Sequence, residues 1–241
     1  MIAFAKTDVG KAREKNEDYY YISRYDDKVK IYILADGMGG YNGGEVASKL
    51  ATTAALNYIQ SNFETTPKEK ENILNLVKSA VEYANMVVYE KSIEDKELEG
   101  MGTTIDVCLI YSNKAYIAHV GDSRIYRIRK EFIRKLTHDH SYVEKLVKDG
   151  TITKEEAENH PKKNMLTKAL GCTPFVEPDV TIRGFIKDDT ILMCSDGLTN
   201  MVDENQIYEI IKRDYQTAAE NLISKANENG GYDNITAIVI H

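Results

Sequence analysis

The sequence predicts an α+β fold with two mainly antiparallel sheets packed face to face and helices outside them. Hairpin-like strand runs follow one another through the middle of the chain, the connectivity of antiparallel sheet. Helical patterns are grouped before and after those runs rather than alternating with them. Several strand runs, including Ile31–Ala35 (IYILA) and Thr190–Ser195 (TILMCS), are apolar at nearly every position, which marks buried strands.

In chain order, Tyr19–Ser23 and Val29–Ala35 read as a hairpin turning at Asp26 and Asp27. Helices follow at Glu45–Ser61 and at Lys68 to about Lys91; the second places Ile73, Leu76, Val77, Ala80, Ala84, Val87 and Val88 on one face. Strands are expected at Thr103–Tyr111, Lys114–Val120, Arg124–Arg129 and Glu131–Leu136. Helical patterns at Tyr142–Lys148 and Lys154–Glu158 precede a polar loop, and two further strands lead to helices at Glu204–Arg213 and Thr217–Asn229. The run ITAIVIH closes the chain. With 241 residues and no Pro-, Gly- or Ser-rich linker, a single domain over 1–241 is expected.

Three acids stand where apolar runs end: Asp36 after IYILA, Asp196 after TILMCS, and Asp233 before Asn234 and the last strand. Two carboxylates about 4 Å apart repel by roughly 4 kcal/mol at an effective dielectric of about 20. A cluster of them therefore needs protons or a cation, and hard oxygen ligands select magnesium, manganese or calcium over zinc. Each acid alone also fits a simple turn. The segment Ala35–Ser48 (ADGMGGYNGGEVAS) packs five glycines between a strand and a helix. Gly37 has no side chain to shield its carbonyl, which can ligate metal beside Asp36. A phosphate cradle is a weaker reading of this loop, because it lacks GK[ST] and GxGxxG spacing. Arg13 precedes Glu17 and Asp18 in Thr7–Tyr20; that spacing fits an exposed ion pair or, beside a metal cluster, an arginine that grips phosphate bidentately.

These residues lie in RxxNED (from Arg13), ADGMGG, MGTT (Met101–Thr104), HVGDSRIYRI (His119–Ile128), LTHDHS (Leu136–Ser141), TKALG (Thr167–Gly171), CSDGL (Cys194–Leu198) and YDNIT (Tyr232–Thr236). In this order they resemble the metal-dependent protein Ser/Thr phosphatases of the PP2C (PPM) family, in its compact bacterial single-domain branch, over nearly the whole chain. The resemblance implies a four-layer α-β-β-α sandwich with metals in a cleft at one end of the sheets. It implies that Asp36 bridges two Mn2+ or Mg2+ ions, that the Gly37 carbonyl binds the first, and that Asp196 and Asp233 complete the second. Asp122 would share a third ion with Asp196. Arg13 would contact substrate phosphate, Glu17 and Asp18 would hold metal-bound water, and Asn234 would support them. A hydroxide bridging the metals would attack phosphoserine or phosphothreonine directly. Met38 stands where eukaryotic relatives carry a proton-donating histidine, so the leaving alkoxide needs another proton source. Residues of about 142–166 resemble the mobile flap of bacterial relatives. Phosphorylated proteins and a bacterial Ser/Thr kinase are the implied partners.

Other readings use the same residues. A di-metal small-molecule phosphatase or phosphodiesterase would need the same acids, and a non-catalytic phosphoprotein-binding module would not need them together. His138 and His140 could point the same way on an extended segment and ligate zinc, although no HExxH completes that site. Cys108, Cys172 and Cys194 are expected as buried, reduced thiols, and with them a cytoplasmic location. A net charge of −7 argues against nucleic acid, and no apolar run approaches a membrane span. A monomer is expected. The basic run Arg127–Lys135 reads as a solvated hairpin face, or as a surface that attracts anionic phosphoprotein segments.

Overall fold

The computed structural model describes residues 1–39 and 43–241. Its strands are β1 (Ala3–Asp8), β2 (Asp18–Ile22), β3 (Lys30–Met38), β4 (Gly102–Thr103), β5 (Ile105–Tyr111), β6 (Lys114–Val120), β7 (Arg124–Arg129), β8 (Phe132–Lys135), β9 (Asp179–Gly184), β10 (Thr190–Cys194) and β11 (Ile235–Ile240). The helices are α1 (Gly43–Asn62), α2 (Lys70–Glu94), α3 (Tyr142–Lys148), α4 (Lys154–Glu158), α5 (Asp196–Thr199), α6 (Glu204–Arg213) and α7 (Ala218–Glu228). One sheet runs β1-β11-β10-β7-β8 and the other β2-β3-β5-β6-β9, with β4 paired to β3. All of these pairings are antiparallel.

The hydrophobic residues divide into three buried clusters, one for each interface between layers. Ile31, Ile33, Val107 and Leu109 pack beneath α1 and α2. Tyr32, Leu34, Ile117, Ile125, Ile191, Met193 and Ile238 fill the space between the sheets. Leu192, Cys194, Val239 and Ile235 pack beneath α6 and α7. Successive side chains on a strand point to opposite faces, so β3 and β10 are apolar throughout because both of their faces are covered. The expected face of α2 is buried at Ile73, Leu76, Val77, Ala80, Ala84 and Val88, while Val87 is partly buried against the same core.

Most of the expected elements occur close to their predicted bounds, and the departures are instructive. The strand expected over Thr103–Tyr111 is split at Thr104, whose hydroxyl turns aside to accept the Asp36 N–H at 3.0 Å. The run of hairpins does not lie in one sheet: β5 and β6 belong to one and β7 and β8 to the other, so the turn at Gly121–Ser123 crosses between sheets. β1 has no counterpart among the elements read from sequence. Its residues, AFAKTD, are only partly buried on an edge of the sheet, so neither alternation nor a continuous apolar run marks them. Cys108 and Cys194 are buried free thiols as expected, but Cys172 is exposed, because it follows Gly171 in a turn rather than lying in a strand. No described helix is long and apolar enough to cross a membrane.

Ile117 is fully buried between the sheets, so Ile117→Ala should lower the unfolding free energy by about 2–5 kcal/mol. Phe132→Ala, at an exposed position on β8, should stay within about 0.5 kcal/mol. Denaturant midpoints of the two variants and the wild type check both values.

Candidate metal centre

The topology delivers the acids to one end of the sandwich. Asp18 opens β2 opposite Asp36 of β3, Asp122 lies in the turn between sheets, Asp196 follows β10, and Asp233 precedes β11. Arg13, Glu17, Asp36, Gly37, Met38, Asp122, Asp196 and Asp233 line a single cleft of about 220 Å³, together with Gly39, Thr104, Asn164 and Leu166. Every residue expected to ligate metal is therefore at this cleft. Asp18 and Asn234 lie behind it.

Local bonding explains why the motifs surround the acids. Asp36 is fixed through its backbone: its N–H donates to Thr104 Oγ1, and its carbonyl accepts from Thr104 N at 2.8 Å and Thr103 Oγ1 at 2.9 Å. Thr104 Oγ1 also lies 2.9 Å from Ser123 Oγ in the turn that carries Asp122. Ser195 Oγ and Thr236 Oγ1 donate to Asp18 Oδ2 at 2.8 and 2.6 Å, while Asp18 Oδ1 is buried without a hydrogen-bond partner among the described residues. Asn234 accepts the Glu17 N–H at 2.8 Å and donates to the carbonyls of Val9 and Lys15 at 3.0 and 2.8 Å, clamping the loop that carries Arg13. Sequence alone assigns these threonines and serines no role. Their signal is a hydroxyl residue set next to an acid at the end of an apolar run.

Gly37 and the start of α1 touch closely enough to exclude side chains. A Cβ on Gly37 would lie 2.1 Å from the Gly44 carbonyl oxygen, and one on Gly44 would lie 2.6 Å from the Glu17 carboxyl. The phosphate-cradle reading of this loop falls partly on residues 40–42, which lie outside the described residues.

The electrostatics are those of crowded acids. Burial, followed by its acidic neighbours, pushes the Asp18 carboxyl up to about 7. Burial and then Asp196 raise Asp122 to about 7. Burial and then Asp233 raise Asp196 to about 6. Asp36 is raised well above the usual carboxylate range by burial and then by Asp18, Asp196, Asp122 and Asp233. Only one cation bonds directly to this group among the described residues: Arg13 Nη2 donates to Asp233 Oδ2 at 2.9 Å, with both side chains partly exposed.

Among the described residues no three His, Cys, Asp or Glu side chains close into a cage around one ion. The donor set still fits a metal ion: oxygen ligands alone, acids that need a cation or protons, and an unshielded carbonyl at Gly37.

The histidines do not form the alternative zinc site. The His119 ring lies between Asp106 Oδ1, 2.7 Å from its Nδ1, and the His138 carbonyl, 2.9 Å from its Nε2. His140 stacks beside that ring with centroids 4.8 Å apart and accepts the Gly121 N–H at 3.1 Å. Asp139 between them binds Arg124 at 2.7 Å and Lys135 at 3.1 Å. The HDH segment thus braces the turn at Asp122 instead of presenting two imidazoles to an ion.

The comparisons with known proteins point to one family. A family model described as protein phosphatase 2C matches residues 10–234. The chain is 40% identical over 242 residues to the serine/threonine phosphatase stp of Listeria innocua, covering 100% of this chain and 95% of that one. It superposes on the Mycobacterium tuberculosis serine/threonine phosphatase PstP/Ppp with a TM-score of 0.89 at 34% identity, covering 99% of this chain and 97% of that one. The catalytic domain of PstP in complex with 2 manganese ions gives a TM-score of 0.85 at 34% identity, with 99% and 96% covered.

The raised carboxyls give the metal-free protein an unusual pH response. Above about pH 4, where the unfolded chain has released its carboxyl protons, the folded state still holds protons on Asp196 up to about 6 and on Asp18 and Asp122 up to about 7, with Asp36 also raised, so stability falls as pH rises through that window. His140 opposes this: its pKa is lowered to about 4 by burial and then by His119, which costs stability as pH drops below about 6.5. The acids outnumber it. In chelator the melting temperature should therefore fall from about pH 4.5 to about pH 7, and the gain from added Mn2+ should grow over the same range as the ion displaces protons. Thermal melts across pH, with EDTA and with Mn2+, check this.

Proposed function

This chain belongs to the protein phosphatase 2C family, and on that premise we propose that it is a metal-dependent protein serine/threonine phosphatase. The carrying observation is the meeting of Asp36, Asp122, Asp196, Asp233 and Arg13 in one cleft. Mn2+ or Mg2+, when bound, supplies Lewis acidity and brings the pKa of water toward about 7. We assign Asp36 and the Gly37 carbonyl to one ion, Asp36, Asp196 and Asp233 to a second, and Asp122 with Asp196 to a third. The 2 manganese ions in the PstP structure support the first pair.

The chain's own groups do the rest. Arg13 is a fixed cation at the rim of the cleft; its pairing with Asp233 is partly exposed, so a phosphate dianion can reach the guanidinium and take it bidentately. Asp18 Oδ1, buried without a partner among the described residues, is left to accept a hydrogen bond from water, and Glu17 borders the same space. Met38 lines the cleft but carries no titratable proton, so the leaving alkoxide takes its proton from water or from another group. The segment of about 142–166 holds α3 and α4, and its Asn164 and Leu166 reach the cleft. It also walls a larger polar groove of about 1030 Å³ that meets the cleft at Asp122, Asn164 and Asp196. We assign this segment as a flap that receives phosphoprotein substrate on a single-domain scaffold. A cognate Ser/Thr kinase as partner, a monomeric state and a cytoplasmic location complete the reading.

Asp36→Asn tests the assignment. It should abolish turnover of both p-nitrophenyl phosphate and a phosphothreonine protein while the chain stays folded. At a hundredfold excess over Kd, Mn2+ stabilises the wild type by about 2.7 kcal/mol, and the variant should gain little. Equal thermal shifts in the two proteins would contradict the assignment. Asp122→Ala should keep two tight ions by calorimetry and lose most of its turnover; three ions at full turnover would remove the third site.

A further inference from the structure

The basic run Arg127–Lys135 has no part in the acidic cleft. On β7, Tyr126 and Ile128 lie in the core beneath α6 and α7, and Ile125 lies in the core between the sheets. Strand alternation therefore sends Arg127 and Arg129 toward the inter-sheet side. Arg134 lies directly opposite Arg127 in the β7–β8 ladder, which puts the two side chains on one face. On β9, Ile182 packs toward the core beneath α1 and α2, so Arg183 leaves on the inter-sheet side as well. β8 and β9 are the edge strands of their sheets. The four arginines thus gather at the open edge of the sandwich. Arg127 is five residues from Asp122, about 16 Å along an extended strand.

The local acids do not balance this charge. Arg129 bonds both oxygens of Asp189 at 2.6 and 2.7 Å, and Asp189 also accepts the Ile186 N–H; that pair is closed. Arg129 and Arg127 both donate to the Gly184 carbonyl, at 3.0 and 3.3 Å. Arg127 Nε is buried with no hydrogen-bond partner among the described residues. Arg183 donates to the neighbouring Ile182 carbonyl at 3.1 Å, and Arg134, exposed, forms no ion pair among the described residues. The remaining nearby acids, Glu131 and Asp188, are exposed in flanking turns. Like charges directly opposite on a ladder are destabilising, and burial with Arg129, Arg134 and Arg183 lowers the Arg127 pKa.

We propose that Arg127, Arg134 and Arg183 form a second anion site that binds the phosphoryl group of a phosphorylated protein segment. Planar guanidinium forks match phosphate oxygens bidentately, and an incoming dianion would relieve the repulsion. The adjacent edge strand β9 offers unpaired backbone groups along which an extended peptide can lie. A nucleic acid would need a longer basic track than this one patch on a chain of net charge −7. The identity of the partner, a phosphoprotein, rests on the phosphatase reading; the anion site itself does not.

The test uses the full chain in EDTA, with a fluorescent phosphothreonine peptide and its unphosphorylated twin read by anisotropy. The phosphopeptide should bind and the twin should not. Arg134→Gln/Arg183→Gln should weaken binding about tenfold, about 1.4 kcal/mol, a larger loss than Arg13→Ala produces. With Mn2+, the double variant should keep wild-type turnover of p-nitrophenyl phosphate and show a raised KM with unchanged kcat on a phosphoprotein. Binding that ignores phosphorylation, or that is lost with Arg13 and kept in the double variant, would overturn the proposal. Equal affinity for inorganic phosphate or for a short oligonucleotide would also overturn it. Phosphopeptide binding at these arginines without any Mn2+-supported turnover would uphold the site and remove the phosphatase reading instead.

Discussion

Mutual repulsion among buried carboxylates is the constraint on which this end of the molecule depends. Asp18, Asp36, Asp122 and Asp196 come from four separate segments, and each is pushed upward first by burial and then by other acids. An unpaired buried charge costs several kcal/mol, so the cluster persists only with protons or cations bound. The arginine at its rim, paired with Asp233, is too exposed to neutralise the whole group. Function and folding thus share one requirement: the charge that makes the cleft useful also makes it unstable without a ligand.

The scaffold resists that repulsion through its covalent path and its hydroxyls. The turn at Gly121–Ser123 joins one sheet to the other, and the Thr104–Ser123, Ser195–Asp18 and Thr236–Asp18 hydrogen bonds tie segments of the two sheets together at the acidic end. The two sheets are fastened between their faces by the inter-sheet core and at one open edge by the bonds of Arg127 and Arg129 to Gly184. Crowding sets what the glycine-rich passage can be: Gly37 and Gly44 lie within reach of each other's backbone and of Glu17. A methyl group at either position would push apart the segments that carry Glu17 and Asp36.

Much of this was legible in the sequence. Strands covered on both faces are apolar throughout, and acids at their ends stand out against them, so Asp36, Asp196 and Asp233 were visible without any alignment. The long helices showed because an amphipathic face repeats over many turns. β1 was not legible, since a partly buried edge strand of mixed residues carries no period. Nor was the sheet change after β6, which depends on a turn whose residues look like any Asp-Ser turn. The pairing of Arg13 with Asp233, 220 residues apart, and the gathering of Arg183 with Arg127 and Arg134 are long-range facts that no local pattern encodes.

Proton counting addresses the central claim most directly. Calorimetry of Mn2+ binding, repeated at one pH in buffers of different ionisation enthalpy, yields the number of protons released when the ions enter. If the carboxylates are held by protons in the metal-free fold, binding near pH 6 should release protons to the buffer, and the release should shrink toward pH 8. Binding that releases no protons at either pH would mean that the acids are already ionised without a cation, and protons could not be what holds the metal-free cleft together.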